Sequence, residues 1–113
     1  MKLPNAEKAV IDEAKLESYS LSGEHGRGRD KARVFRATMN LGPGDGPALA
    51  SLLRERIKDD DVDEVENGEY GVLYVLHHPI VGSSPVRRLR HVWILRHGED
   101  FPRLVSCYLV RGR

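Results

Sequence analysis

The apolar residues of this chain change their spacing near its middle, from a helical period of about 3.6 to the alternation of a strand. The clearest helical stretch follows Pro47, which stands where a first-turn proline belongs, and ends in the acidic run 59–61. Its apolar face is formed by Leu49, Leu52, Leu53 and Ile57. This pattern predicts a helix packed against a core.

Two further helices are predicted before this one. Asp12 fits the N-cap of a helix that ends near Ser22-Gly23, with Leu16 and Tyr19 facing inward. Asp30 fits the N-cap of the next helix, from Lys31 to about Asn40, which has Ala32, Phe35 and Met39 on one face. The stretch 22–30 between them holds three glycines and predicts a loop.

Three strands are predicted in the second half, at Tyr70–His77, Val86–Arg96 and Arg103–Val110. The connections between them are short, which favours an antiparallel meander. The predicted fold class is therefore α+β: two or three N-terminal helices followed by a three- to four-stranded antiparallel meander sheet. Residues 1–113 have the length of a single domain.

Alternation along the predicted strands assigns side chains to two faces of the sheet. In the second strand, Arg88, Arg90, Val92 and Ile94 share one face, and Arg87, Leu89, His91, Trp93 and Leu95 share the other. In the third strand, one face carries Leu104, Ser106, Tyr108 and Val110. Trp93 is expected in the core, and Cys107 is expected to be a buried small hydrophobe.

Charge is unevenly distributed although the net charge is only +1. Five bases and two acids lie in residues 22–36, and seven arginines and two acids lie in residues 86–113. Residues 59–69 hold seven acids and no base, and this segment is interpreted as a solubilising loop. Clustered arginines suit phosphate recognition because the planar guanidinium binds phosphate through two hydrogen bonds. The alternative is that these arginines form ordinary solvated faces.

Cysteine usage and hydropathy bear on where the protein works. Cys107 is the only cysteine, so a disulfide framework is impossible and a reducing compartment, the cytoplasm, is predicted. The first residues lack the apolar core of a signal peptide. No stretch approaches 18 consecutive apolar residues, and a membrane partner is not expected.

The candidate chemistry is metal-independent cleavage of RNA. His25 lies in the glycine-rich loop and could transfer a proton to or from a ribose oxygen, while Lys31 at a helix start could hold the phosphate. The candidate catalytic residues are His25, Lys31, Arg90 and Ser106. The candidate phosphate- and RNA-binding residues are Arg27, Arg29, Arg33, Arg88 and Tyr108. The alternative for His25 is an exposed loop histidine without a role.

Metal and cofactor binding are not expected. His77 and His78 are adjacent, but neighbouring strand residues point to opposite faces and cannot chelate one ion. No carboxylate or cysteine set with metal-ligand spacing accompanies them. His91 and His97, on or near the second strand, are open candidates for a second acid or base.

Several motifs resemble one small bacterial family. They are the start Met1-Lys2-Leu3-Pro4-Asn5-Ala6, the core His25-x-x-Gly28-x-x-Lys31-Ala32-x-x-Phe35, and the later Val92-Trp93-Ile94-Leu95 and Pro102-Arg103-Leu104. The family is described only as a domain of unknown function, found alone and as the C-terminal module of polymorphic toxins. The chain departs from the family pattern at Gly26, where proline is usual, and at Asp30, where histidine is frequent.

The resemblance implies a toxin-type ribonuclease acting on RNA, with tRNA as one possible target, and a small antitoxin or immunity protein as its inhibitor. The predicted order of elements, helices and then an antiparallel sheet, is similar to that of barnase- and RelE-like ribonucleases, which is an analogy at the level of the fold. The competing hypothesis is a non-catalytic binding module, which binds either RNA or a partner protein.

Overall fold

The structure, a computed structural model, describes residues 1–21 and 28–112. Helices occupy the first half and pack on one face of a four-stranded antiparallel sheet, which confirms the α+β prediction. The helical elements are a 3₁₀ turn (Ala6–Lys8), α1 (Glu13–Lys15) continuing as a π-helical turn (Leu16–Leu21), α2 (Gly28–Met39) and α3 (Gly46–Asp59). The strands are β1 (Glu64–Asn67), β2 (Gly71–Ile80), β3 (Arg87–Arg96) and β4 (Arg103–Arg111).

The sheet is a meander in the order β1-β2-β3-β4, so β1 and β4 form its edges. The prediction did not separate β1 from the acidic loop. All four β1 residues are exposed, so no apolar alternation marks the strand in the sequence. Pairing with β2, which sets Glu64 opposite Val75, holds the segment extended.

The hydrophobic core lies between the helices and one face of the sheet, called here the core face. Phe35, Leu49 and Leu53 come from the helices, and Leu76, Leu89 and Trp93 come from β2 and β3; each is fully buried. Full burial of side chains of this size contributes about 1.5–3 kcal/mol each. The predicted apolar faces of α2 and α3, the inward position of Leu16 and the core position of Trp93 are therefore confirmed, whereas the side chain of Tyr19 lies outside the described residues. The opposite face of the sheet is called the outer face.

Two predicted helix starts have different outcomes. Asp12 caps α1, because its carboxylate accepts a hydrogen bond from the backbone N–H of Lys15 at 3.3 Å. The prediction that Asp30 is an N-cap is wrong, because α2 already begins at Gly28. Asp30 lies in the first turn of α2, where its carboxylate accepts a hydrogen bond from Arg33 at 2.7 Å.

A β-bulge changes the assignment of one residue in β4. The register of β3 and β4 shifts between Val92 and Trp93, so Val92 pairs with Ser106 but Trp93 pairs with Leu104. Leu104 consequently packs against the core. The prediction that it shares a face with Ser106 and Tyr108 is therefore wrong, because a bulge inserts one extra residue and reverses the alternation.

No helix in the described ranges 1–21 and 28–112 is both long and apolar enough to cross a membrane.

Candidate functional site

Three polar side chains form a row across the outer face, and a charged side chain from outside the sheet contacts each end of the row. Register pairs His77 with Arg90, and Arg90 with Tyr108, on three neighbouring strands. Asp63 bonds to His77 at one end, and Lys31 lies over Tyr108 at the other. Directly paired residues of antiparallel strands share a face, with Cβ atoms about 4.5–5.5 Å apart. This group, Asp63–His77–Arg90–Tyr108–Lys31, is called the outer row.

The Tyr108 end of the row brings two cations to one phenol. Arg90 Nη1 donates a hydrogen bond to Tyr108 Oη at 3.0 Å. Lys31 Nζ lies 4.3 Å from the centroid of the Tyr108 ring, and Arg90 Cζ lies 5.5 Å from it. Cation–π contact orients both cations beside the ring. The guanidinium has five N–H donors, and within residues 1–21 and 28–112 it donates one of them to Tyr108, which leaves others for an anion.

The other end of the row is a histidine–carboxylate pair. His77 Nδ1 lies 2.9 Å from Asp63 Oδ2. The His77 side chain is 15% exposed and the Asp63 side chain 47%. An ionised carboxylate only accepts hydrogen bonds, so Nδ1 carries the hydrogen and Nε2 keeps its lone pair in the neutral ring. This arrangement sets up a histidine to take a proton at Nε2.

A cleft of about 350 Å³ lies between the helices and β4, beside the Tyr108 end of the row. Lys31 and Ser106 both line it. Ser20 lies in its wall and donates a buried hydrogen bond from its hydroxyl to the carbonyl of Cys107 at 3.2 Å. The cleft therefore joins the helix-borne lysine to the sheet-borne serine.

The structure brings together several residues predicted from the sequence. Lys31 and Arg90 both contact Tyr108, and Ser106 shares the cleft with Lys31. Arg88 lies two residues before Arg90 on β3 and therefore on the same face.

Other predicted residues lie elsewhere or outside the described part of the chain. Arg33 is exposed and paired with Asp30 rather than joined to the outer row. His25 and Arg27 lie outside the described residues, as does the side chain of Arg29.

Sequence reasoning missed the His77–Asp63 pair. It considered His77 only as a metal ligand beside His78, and the two rings in fact bond to different carboxylates. His78 Nδ1 lies 3.2 Å from Asp60 Oδ2, whereas His77 bonds to Asp63. The sequence offered one clue, because His77 lies in a predicted strand that directly follows the acidic segment. Recognising it required the pairing of β1 with β2.

His91 is a core histidine and is inaccessible as an acid or base. It is fully buried, and its Nδ1 accepts a hydrogen bond from Trp93 Nε1 at 2.9 Å. Nε2 is buried without a hydrogen-bond partner among the described residues. Burial, with the nearby charges of His77 and His78, lowers the pKa of His91 to about 4. It is therefore neutral at pH 7.

Cys107 is also part of the core. It is buried in the cluster with Trp93 and Leu109, and this confirms the prediction of a small hydrophobe. Burial raises the pKa of the thiol well above its usual range, so the thiol stays protonated and unreactive.

No three histidine, cysteine or acidic side chains in residues 1–21 and 28–112 lie close enough together to hold a metal ion. Three carboxylates of the acidic segment have separate partners. Asp60 and Asp63 bond to histidines, and Asp61 pairs with Lys2 at 3.1 Å. The segment predicted to be a solubilising loop thus contributes specific contacts, one of them to the outer row.

Comparison with known proteins identifies the family of the chain. No curated protein and no solved structure matches the chain, so the likeness to barnase- and RelE-like ribonucleases stays a prediction. One family matches residues 2–111, nearly the whole chain, and confirms the resemblance to a small domain family. The chain belongs to the family described as Domain of unknown function (DUF6883).

Proposed function

We propose that this protein is a metal-independent endoribonuclease that binds the scissile phosphate of RNA at Arg90 and Lys31. The observation that carries the proposal is the convergence of these two cations on Tyr108, with contacts of 3.0 Å and 4.3 Å. The two cations come from separate parts of the chain, Lys31 from the start of α2 and Arg90 from the central strand β3. Two like charges held side by side favour a bound anion.

Phosphate suits this site better than an isolated carboxylate. Arg90 keeps N–H donors free for two hydrogen bonds to one phosphate. Arg88 precedes Arg90 by two positions along the strand, about 6.6 Å away, which is comparable with the spacing of neighbouring phosphates on a nucleic-acid strand. A strand of nucleic acid could therefore run along β3.

RNA is favoured over DNA because RNA carries its own nucleophile. The 2′-hydroxyl can attack the neighbouring phosphorus, which places an additional negative charge on the phosphorane. Arg90 and Lys31 would stabilise that charge, and one such preorganised donor is typically worth about 10²–10³-fold in rate.

Acid–base groups complete the proposed chemistry. Arg90 donates to Tyr108 Oη, so the phenolic hydrogen is free to be donated to the leaving 5′-oxygen. His25 is the acid or base that the sequence motif predicts. Proton transfer of this kind typically contributes about 10²–10⁴-fold.

The direct test uses purified protein with total RNA and bulk tRNA in EDTA. Wild-type protein should produce discrete fragments that end in a cyclic phosphate. Arg90→Ala should abolish the cleavage, whereas Arg96→Ala, which removes an exposed arginine at the far end of the same strand, should retain it. Salt-dependent RNA binding without cleavage would instead establish an RNA-binding module.

The proposal extends to a cytoplasmic site of action and a small inhibitory partner protein, as the toxin-type resemblance implies. Induced expression of the wild-type chain should then arrest growth of the host, and Arg90→Ala should relieve the arrest. Normal growth at high expression of a folded wild-type chain would contradict the toxin-type proposal.

A further inference from the structure

We infer that His77, held by Asp63, is the general base of the cleavage reaction. The inference rests on the proposed function, since it assigns a group to that same reaction. His77 belongs to the outer row, on the strand that neighbours Arg90 on the side away from Tyr108. His77 lies outside the family motif that runs from His25 to Phe35.

The position of His77 suits a base that acts on a phosphate bound by Arg90. Arg90 lies between His77 and Tyr108, with each neighbour one strand away, about 4.8 Å. A phosphate bound by Arg90 is therefore flanked by an imidazole on one side and a phenol on the other. In-line displacement at phosphorus requires the base and the acid on opposite sides, because the attacking and leaving oxygens lie opposite each other.

The orientation of the His77 ring also suits a base. Asp63 accepts the hydrogen of His77 Nδ1 at 2.9 Å, so the neutral ring carries its lone pair on Nε2. The same carboxylate stabilises the imidazolium that forms when Nε2 takes a proton. Asp63 thus acts as a positioning residue for a histidine base, a role known for carboxylates paired with catalytic histidines. His77 remains partly exposed and so is accessible to substrate.

The step balances without any further reactant. The 2′-hydroxyl proton passes to His77 Nε2 as the 2′-oxygen forms a bond to phosphorus. The bond from phosphorus to the 5′-oxygen breaks, and Tyr108 Oη gives its proton to that oxygen. The products are a 2′,3′-cyclic phosphate and a free 5′-hydroxyl. Water then restores the proton of Tyr108 and removes that of His77.

The other histidines of the described chain are placed less well. His91 is fully buried, and its Nδ1 is bonded to Trp93. His78 follows His77 directly in β2, so it points to the core face, where it bonds to Asp60. His97 is exposed beyond the end of β3, seven residues after Arg90.

The experiment compares His77→Ala, His25→Ala and His97→Ala in single-turnover cleavage of a labelled RNA in EDTA. Each variant is also measured for RNA affinity by fluorescence anisotropy and for thermal unfolding. His77→Ala should lower the cleavage rate by about 10²-fold or more, with RNA affinity within about 2-fold of wild type. Added imidazole should restore part of the rate, and His97→Ala should cleave like wild type.

The role of Asp63 is tested by making Asp63→Asn both in the wild-type chain and in the His77→Ala variant. Asp63→Asn should lower the rate in the wild-type background by about 10-fold and leave the rate of His77→Ala nearly unchanged, because a positioning residue acts only through the group it positions. Equal losses in both backgrounds would assign Asp63 a merely structural role and overturn its part of the inference.

The outcomes separate the two proposals. Absence of cleavage by wild-type protein would defeat the proposed function itself. Wild-type rates for His77→Ala, with loss in His25→Ala, would leave the ribonuclease intact and overturn the inference about His77. Should His77→Ala fail to fold, His77→Gln is the second variant, and full activity of that folded variant would overturn the inference equally.

Discussion

Adjacent residues of one strand lie in opposite environments on the two faces of the sheet. Arg90 lies on the outer face, where it bonds to Tyr108 and stays partly exposed. His91, the next residue, is fully buried on the core face against Trp93. The comparison shows that position in the pleat, rather than residue type or location in the sequence, decides whether a polar side chain is available for chemistry.

The histidines His77 and His91 illustrate the difference between the two faces. His77 Nδ1 bonds to the Asp63 carboxylate on the partly exposed outer face, whereas His91 Nδ1 accepts the Trp93 N–H inside the core. Burial lowers the pKa of His91 to about 4. We therefore expect changes on the core face to alter stability and changes on the outer face to alter activity.

The largest effect is expected for Trp93→Ala. It should lower the free energy of unfolding by about 3–5 kcal/mol, because a large cavity opens in the core and His91 Nδ1 loses its donor. Ile94→Ala, at the neighbouring outer-face position, should cost far less. Urea unfolding of both variants measures the difference, and similar losses would contradict the division between the two faces.

Acid should destabilise the protein through His91. The native state keeps His91 neutral down to about pH 4, whereas the unfolded chain takes up a proton below about pH 6.5. The unfolded state therefore binds more protons in this window, and stability is lost as the pH falls through it, by about 3 kcal/mol in full.

The measurement is urea unfolding at pH 7 and pH 4.5, with His91→Gln as the control. Glutamine can still accept the Trp93 N–H but does not titrate. The difference between wild type and the variant isolates His91 from the carboxylates. An equal pH dependence in both proteins would show that His91 is not the source.

Tyr108→Phe should separate activity from stability on the outer face. It removes the hydroxyl that receives the Arg90 hydrogen bond but keeps the ring beneath Lys31. We expect RNA cleavage to fall by about 10²-fold with the fold retained. Tyr70→Phe, at a tyrosine that is 71% exposed, is the matched control. Wild-type cleavage by Tyr108→Phe would remove the phenol from the mechanism.

The smallest expected effect is that of Lys31→Ala on RNA affinity. Loss of one phosphate contact should weaken binding by about 5-fold and reduce the slope of log affinity against log salt by about 0.7, the value for one contact on a single strand. Fluorescence anisotropy from 50 to 300 mM salt measures both, with exposed Lys58→Ala as the control. An unchanged slope would show that Lys31 does not contact phosphate.

Most of the fold was predictable because local pattern and tertiary packing agree. The apolar face predicted for α3 is Leu49, Leu52, Leu53 and Ile57; Leu52 is partly buried and the other three are buried. The failures occur where this agreement is missing. β1 has no apolar alternation, and the bulge beside Val105 reverses the face of Leu104 through pairing with β3. Neither feature leaves a periodic signal in the sequence.

The candidate site divides in the same way. Lys31, Arg90, Ser106 and Tyr108 could be predicted from residue type and strand alternation, although nothing in the sequence measured how close they lie. Asp63 and His77 could not be predicted as a pair, because their contact depends on β1 lying beside β2.

The sequence by itself determined the helices, the three longer strands and the side of the sheet to which Arg90 and His91 belong, because these follow from local periodicity. Only the tertiary structure decided that Asp63, His77, Arg90, Tyr108 and Lys31 form one row. The physical reason is that strand pairing and the docking of α2 beside β4 bring together residues far apart in the chain, and no local pattern encodes such distances.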